Sequence, residues 1–282
     1  MQYLEMPILF GNGGRLLGIA TIPAEQAESP LTVVLFLNAG LAHRVGPRRI
    51  HVTLARRLAV AGVASLRVDL SGKGDSPVRD GLSNQQSVAA DYAAIRPILD
   101  DRFKSPKLVL FGICSGADNA VRLAIDDDAV HGLILLDPIS PKDPGWGRRD
   151  YMRRYTDPKR YANRLKKVLD FSNWATRTPP PTAPPLDLRD LPETAQTRES
   201  FAAVGRRGGH VLSVFTSYAR DLYYNRLGQL ERVLHLEAYA SFCEERYWPE
   251  TDHTFSREED RKRLQADVVA LVARTDGSRA RI

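Results

Sequence analysis

Short apolar runs alternate along this chain with longer stretches whose apolar positions recur every three or four residues, as when strands and helices take turns around a parallel sheet. PILFGNGGRLLGIATIP reads as a hairpin, two apolar runs joined by Gly-Asn-Gly-Gly. The run 31–37 (LTVVLFL) is a buried strand. After it, 48–62 places Ile50, Leu54, Leu58 and Ala61 on one helical face and stops at Gly62. VASLRVDL returns as a strand, followed by a helix over 84–100, the strand 107–112, the helix SGADNAVRLAI and the strand 132–137.

From Pro138 to about Gly209 the alternation stops. A basic stretch gives way to TPPPTAPPLDLRDLP, with six prolines between 179 and 192, and such a segment is neither a central strand nor a helix interior. The pattern predicts an insertion over 138–209, helical and basic in its first half and irregular in its second, dividing a core of 1–137 and 210–282. The core then resumes with the strand 210–216, a short helix, the strand VLHLEAY (233–239) and an amphipathic helix from Arg257 to Ala273, and the last residues are expected to fray.

At 282 residues the chain is long enough for one large domain or a core with an insertion. The two cysteines, Cys114 and Cys243, argue against a disulfide framework or a thiolate metal cluster, so no metal and no cofactor is expected. No run approaches a membrane span and the N-terminus lacks a signal-like pattern, which predicts a cytoplasmic protein. The net charge of +6 invites a nucleic-acid reading until its distribution is counted. Residues 148–167 carry nine Lys or Arg against two Asp, leaving 31 basic residues against 32 acidic ones elsewhere. The excess is one local patch, and no recognised nucleic-acid motif accompanies it.

The most informative segment is LVLFGICSGADNA, in which a strand runs through Gly112-Ile113-Cys114-Ser115-Gly116 directly into a helix. So sharp a turn puts its central residue in a strained conformation and needs small neighbours two positions away. Centred on Cys114, those neighbours are Gly112 and Gly116. Centred on Ser115 they are Ile113 and Ala117, and a β-branched residue would clash. Cys114 is therefore the candidate nucleophile and Ser115 the next choice. At a helix N-terminus Cys114 also gains thiolate character from the dipole. Cys243, in SFCEERYW, lacks such a turn.

With its elbow, the loop NAGLAHRVGP (38–47), the motif RVDLSGKGDS (67–76) and ETDHTFS (250–256), the chain resembles the α/β-hydrolase superfamily over residues 5–140 and 208–275. The NAG and HRVGP elements resemble hydrolases found beside exosortase systems and the serine aminopeptidase-like group. The cysteine is similar to that of dienelactone hydrolases and some thioesterases. The resemblance implies an α/β-hydrolase fold with an inserted lid, and the chain order nucleophile, acid, histidine. His253 stands where the family's base sits. Asp221, after the strand 210–216, matches the usual acid, and Asp137, at the end of LILLD, is its rival. The oxyanion hole would use the amide of Ser115 and a second donor from Gly40 or Leu41, where the family's usual His-Gly pair is replaced by Asn-Ala. Asp69 and Asp75, in the glycine-rich Asp-x-x-Gly-x-Gly-Asp-Ser loop, read as structural.

A cysteine nucleophile makes the acyl-enzyme a thioester, which exchanges readily with other thioesters. The sequence therefore favours a thioesterase or acyltransferase of small-molecule biosynthesis, with an ester or lactone hydrolase and a noncatalytic binding protein as alternatives. Its acyl substrate could be carried on coenzyme A or on an acidic carrier protein, met by Arg148, Arg149, Arg153 and Arg154 of the basic patch. The aromatic residues Tyr151, Tyr155, Tyr161, Phe171 and Trp174 would then line an acyl pocket or pack the lid. Nucleic acid and a membrane span are not expected.

Overall fold

A computed structural model describes residues 2–11, 13–24, 32–156 and 189–277. Eight strands form one sheet: β1 (Tyr3–Phe10), β2 (Leu16–Pro23), β3 (Thr32–Phe36), β4 (Ala64–Asp69), β5 (Lys107–Ile113), β6 (Val130–Leu136), β7 (His210–Thr216) and β8 (Cys243–Trp248). Their order is β1-β2-β4-β3-β5-β6-β7-β8. The expected hairpin is present as the antiparallel pair β1 and β2. β2 meets β4 antiparallel, and every later pairing is parallel.

Because side chains alternate along a strand, each central strand supplies both faces. Val34, Phe36, Val109, Phe111, Ile134, Leu136 and Val214 pack under helices α1 (Ile50–Val60) and α9 (Glu258–Asp276). Val33, Leu35, Leu108, Leu110, Leu133 and Leu135 pack under α2 (Asn84–Phe103) and α3 (Ser115–Asp126) on the opposite side. Ile50, Leu54 and Leu58 are buried as their spacing requires, whereas Ala61 is exposed at the C-cap of α1, before Gly62 at φ +86°. Helix α2 starts at a capping box between Ser83 and Gln86.

Two boundaries differ from the sequence reading. The expected insertion is shorter on its C-terminal side, because α5 (Thr194–Arg206) is a regular helix whose Phe201 and Val204 enter the same core as β5 and β6. It is the crossover that returns the chain from β6 to β7. The basic first half does contain a helix, α4 (Trp146–Thr156). Tyr161, Phe171, Trp174 and the prolines from 179 to 185 lie outside the described residues.

The last strand also moves, from 233–239 to Cys243–Trp248. Leu230 and Leu234, one helical turn apart, are buried on α7 (Gln229–Leu234), and Tyr239 begins the short helix α8 (Tyr239–Phe242). The true strand, CEERYW, lies at the sheet edge and keeps its polar residues paired. Arg246 meets Asp267 on α9, and Glu245 accepts hydrogen bonds from the hydroxyls of Tyr224 (2.6 Å) and Tyr239 (3.1 Å). Period-two apolar patterning is weak in such a strand, and this hid it. No helix among the described residues is long and apolar enough to cross a membrane.

Candidate active site

The chemistry-bearing residues collect just beyond the C-terminal ends of neighbouring strands, where parallel sheets open a crevice. Cys114 follows β5 with φ 55° and ψ −119°, strained for any residue with a side chain, and it caps the N-terminus of α3. The frame is enforced by backbone contact. A Cβ on Gly112 would lie 2.2 Å from the carbonyl carbon and oxygen of Gly116, and one on Gly116 would lie 2.6 Å from the Asn38 carbonyl oxygen. The Cys114 amide donates to Leu136 (2.8 Å), tying the elbow to the end of β6.

His253 follows β8 in a loop held by its neighbours. Asp252 accepts from the Thr254 amide (2.9 Å) and the Ser256 amide (3.0 Å), and Phe255 is fully buried with its ring against Trp248. His253 Nδ1 lies 2.6 Å from Asp137 Oδ2 in a hydrogen bond, and the ring also interacts with Cys114. Burial works against a charge on the ring, but the hydrogen bonds to Asp137 and then to Cys114 outweigh it and raise the imidazolium to about 9. Burial likewise resists ionisation of Cys114, yet the His253 hydrogen bond and the charge of Arg189 hold the thiol below its usual value. The two shifts act in the same sense, toward a thiolate–imidazolium pair.

The carboxylate hydrogen-bonded to His253 is that of Asp137, not that of Asp221. Asp137 is completely buried directly after β6, at φ 48°. Its carboxylate accepts from the Thr216 amide (2.7 Å) and the Thr216 hydroxyl (2.6 Å) as well as meeting His253. Asp221 sits on α6 (Ser217–Leu222), which carries it away from the strand ends to the surface. There its oxygens accept from Arg153 (2.7 Å) and Arg220 (3.0 Å). Both residues follow a strand within a few positions, so spacing alone does not separate them. The direction of α6 does.

Gly40, at φ 56°, directs its amide to Ser115 Oγ at 2.8 Å, and the first-turn amide of Ser115 lacks an intrahelical acceptor by its position in α3. The side chain of Leu41 is 81% exposed. The loop is shaped by Asn38, whose side chain donates to Ala42 (2.9 Å) and Asp69 (3.1 Å) and accepts from the Leu70 amide (2.9 Å). Asp69 is also bonded by the Arg44 amide and guanidinium, and Asp75 by Arg44 and His43, so these acids hold the loop together.

The arginines of α4 are largely paired. Arg149 bonds Asp143 and Asn225, Arg153 bonds Asp150 and Asp221, and Arg154 bonds Asp150, while Arg148 is exposed. Tyr151 and Tyr155 meet in a tilted ring contact, 4.2 Å between centroids, in an exposed position. Cys243 is buried at the start of β8, where burial pushes its thiol far up.

Two residues of the site were missed in the sequence. Tyr218 stacks on the His253 ring at 4.3 Å between centroids. Arg189, from the proline-rich stretch, is buried beneath the array with Asp118 and Tyr223. Tyr218 could have been found from its place two residues past β7. Nothing in the local sequence marks Arg189.

No family model matches the chain, and no curated protein matches it. Solved structures do. An α/β serine hydrolase homologue from Coxiella burnetii is 17% identical, with 96% of this chain and 97% of the other aligned at a TM-score of 0.55. A member of the α/β serine hydrolases without lid from Xanthomonas campestris is 15% identical over 99% and 97% (TM-score 0.56). A thermostable carboxyl esterase from Bacillus coagulans is 12% identical over 96% and 99% (TM-score 0.56). The chain has the α/β-hydrolase fold.

Proposed function

We propose that this protein is an acyl hydrolase that cleaves an ester or lactone through a covalent acyl-Cys114 intermediate. The observation that carries the reading is Cys114 at positive φ on the elbow, coupled to a His253 whose Nδ1 is held by buried Asp137. The Cys114 thiolate attacks the acyl carbon, and the oxyanion takes a hydrogen bond from the Ser115 amide, with Leu41 the remaining second donor because the Gly40 amide is already given to Ser115 Oγ. His253 then gives its proton to the leaving alkoxide. Neutral His253 next takes a proton from the incoming water, whose oxygen attacks the thioester. The acid leaves and the proton returns to the ion pair. Asp137 holds the ring in the tautomer that makes both transfers possible and stabilises its cation.

A carboxyl esterase among the structures of the same fold supports the ester substrate. Thioester hydrolysis or acyl transfer is the second reading, favoured by the intermediate itself, because an acyl-cysteine exchanges with another thioester at little cost. A carrier protein or coenzyme A would then approach the α4 side, where Arg148 is exposed. The test is a panel of p-nitrophenyl esters, lactones and acyl-coenzyme A thioesters, with and without amine acceptors, and intact-mass detection of acyl-Cys114. Oxygen-ester turnover with a trapped acyl adduct lost in Cys114→Ala supports the proposal. Turnover of thioesters alone favours the second reading. Slow alkylation of Cys114, equal to that of Cys243, overturns both and leaves the noncatalytic alternative.

A further inference from the structure

The Arg189 guanidinium is buried and shared among three groups around the array. Nε and Nη2 donate to the two carboxylate oxygens of Asp118 (Nη2 to Oδ1, 3.0 Å), Nη2 also donates to the Asp137 carbonyl (2.8 Å), and Nη1 reaches the Tyr223 hydroxyl at 3.5 Å. Tyr223 in turn donates its hydroxyl to the same Asp137 carbonyl at 3.0 Å. Asp118 lies in the first turn of α3, where its amide donates to Cys114, and its Oδ1 accepts from the Ile139 amide at 3.3 Å. One planar cation thus ties together the turn that presents the nucleophile and the turn that presents the acid.

We infer that Arg189 is a positioning residue for the Cys114–His253–Asp137 array: its fork clamps the Asp137 main chain to Asp118, in the first turn of the helix that Cys114 caps. Asp137 needs such a clamp. At φ 48° its backbone is in a conformation that costs about 1 kcal/mol or more for a residue with a side chain, and in that conformation its carboxylate reaches both Thr216 and His253. A bidentate Arg–carboxylate pair fixes orientation as well as charge, which a lysine cannot do. The groups that bear on Cys114 are His253 from the loop after β8, Arg189 and Asp118 beneath it, and Tyr218 from α6. Of these, His253 and Arg189 favour the thiolate, and Asp118 opposes it.

This inference rests on the nucleophile assigned above, and alkylation separates the two. The rate of Cys114 modification by iodoacetamide is measured against pH by mass spectrometry on the full chain, for the native protein, His253→Ala, Arg189→Gln, Arg189→Lys and Asp118→Asn. Circular dichroism checks that each variant is folded. Arg189→Gln is expected to raise the thiol midpoint by roughly half to one pH unit, as loss of a nearby opposite charge does. Asp118→Asn, which frees the guanidinium charge, is expected to move it down. Arg189→Lys should hold the midpoint near the native one but lower the turnover number without a matching change in KM, because a point charge cannot clamp the Asp137 carbonyl.

A merely structural arginine would not give shifts of opposite sign. If the midpoints of Arg189→Gln and Asp118→Asn stay at the native value or both rise, the inference is overturned. If Arg189→Gln does not fold, the direction seen in Asp118→Asn decides. If His253→Ala leaves the native profile unchanged, the thiolate–imidazolium reading itself fails.

Discussion

Asparagine at position 137 removes one charge and, through the geometry around it, inverts a tautomer. The Thr216 amide is a fixed donor 2.7 Å from Oδ1, so an asparagine there turns its carbonyl to that amide and leaves its NH2 facing His253 Nδ1. Nδ1 must then accept, which puts the ring proton on the nitrogen that should take one from Cys114. The electrostatic part is read from the His253 pKa, raised from 6.5 to about 9. A shift of that size is worth roughly 3 kcal/mol, and the Asp137 hydrogen bond is its leading favourable cause. The same exchange in a serine triad lowers turnover by about 10⁴-fold. With the proposed ion pair as the resting state, a fall of roughly 10² to 10⁴ in kcat is expected. The alkylation midpoint of Cys114 should climb toward the ordinary thiol value of about 8.5. Asp221→Asn is the control. Its side chain is 46% exposed in a surface ion pair, a setting worth about 0–1 kcal/mol, so activity should stay within about twofold. Hydrolysis of a chromogenic ester and the alkylation profile measure both variants. Equal losses in the two, or an Asp137→Asn enzyme retaining a third of native activity, would refute the assignment of the acid.

Gly112→Ala should destabilise the fold by more than about 4 kcal/mol, since its methyl meets main-chain atoms of Gly116 that cannot move aside, whereas Gly147→Ala on α4 meets nothing within 4 Å. Denaturant midpoints distinguish them, and a Gly112→Ala protein as stable as the native one would refute the crossing of β5 and α3. The His51 ring is fully buried against Phe36 and Phe111, and burial pushes its pKa down to about 3. The unfolded chain therefore takes up a proton below pH 6.5 that the folded one refuses, so stability is complete above that pH and falls on acidification by up to about 1.4 kcal/mol per unit. His51→Phe should flatten the pH dependence of the urea midpoint between pH 6 and 4, and an unchanged slope would contradict the buried neutral ring. Glu245→Ala would orphan the hydroxyls of Tyr224 and Tyr239 together with the amides of Leu230 and Glu231, and a loss of about 2–3 kcal/mol by chemical denaturation is expected.

Central strands and amphipathic helices were legible in the sequence because burial on two faces, or on one, leaves a periodic signature. Cys114 was legible because its turn demands glycine at both flanking positions. β8 was not, since a sheet-edge strand that pairs its glutamates and its one arginine with α9 and with two tyrosines carries little apolar alternation. Asp137 and Asp221 were both visible, but the choice between them depends on the direction in which the chain leaves β7, and that is set by the helix after Thr216. Arg189 could not be foreseen from a stretch of prolines, because its partners lie 52 and 71 residues away in the chain.

The two glycines flanking the elbow have a further consequence. They impose the bend on whichever residue occupies its apex, because the atoms that enforce it belong to the main chain of Gly116 and Asn38. Reactivity and architecture are thus separable at this point. An exchange of sulfur for oxygen, as in Cys114→Ser, would alter the nucleophile's acidity and the lifetime of its adduct while leaving the scaffold intact, so the two chemistries are alternative fittings of a single mount.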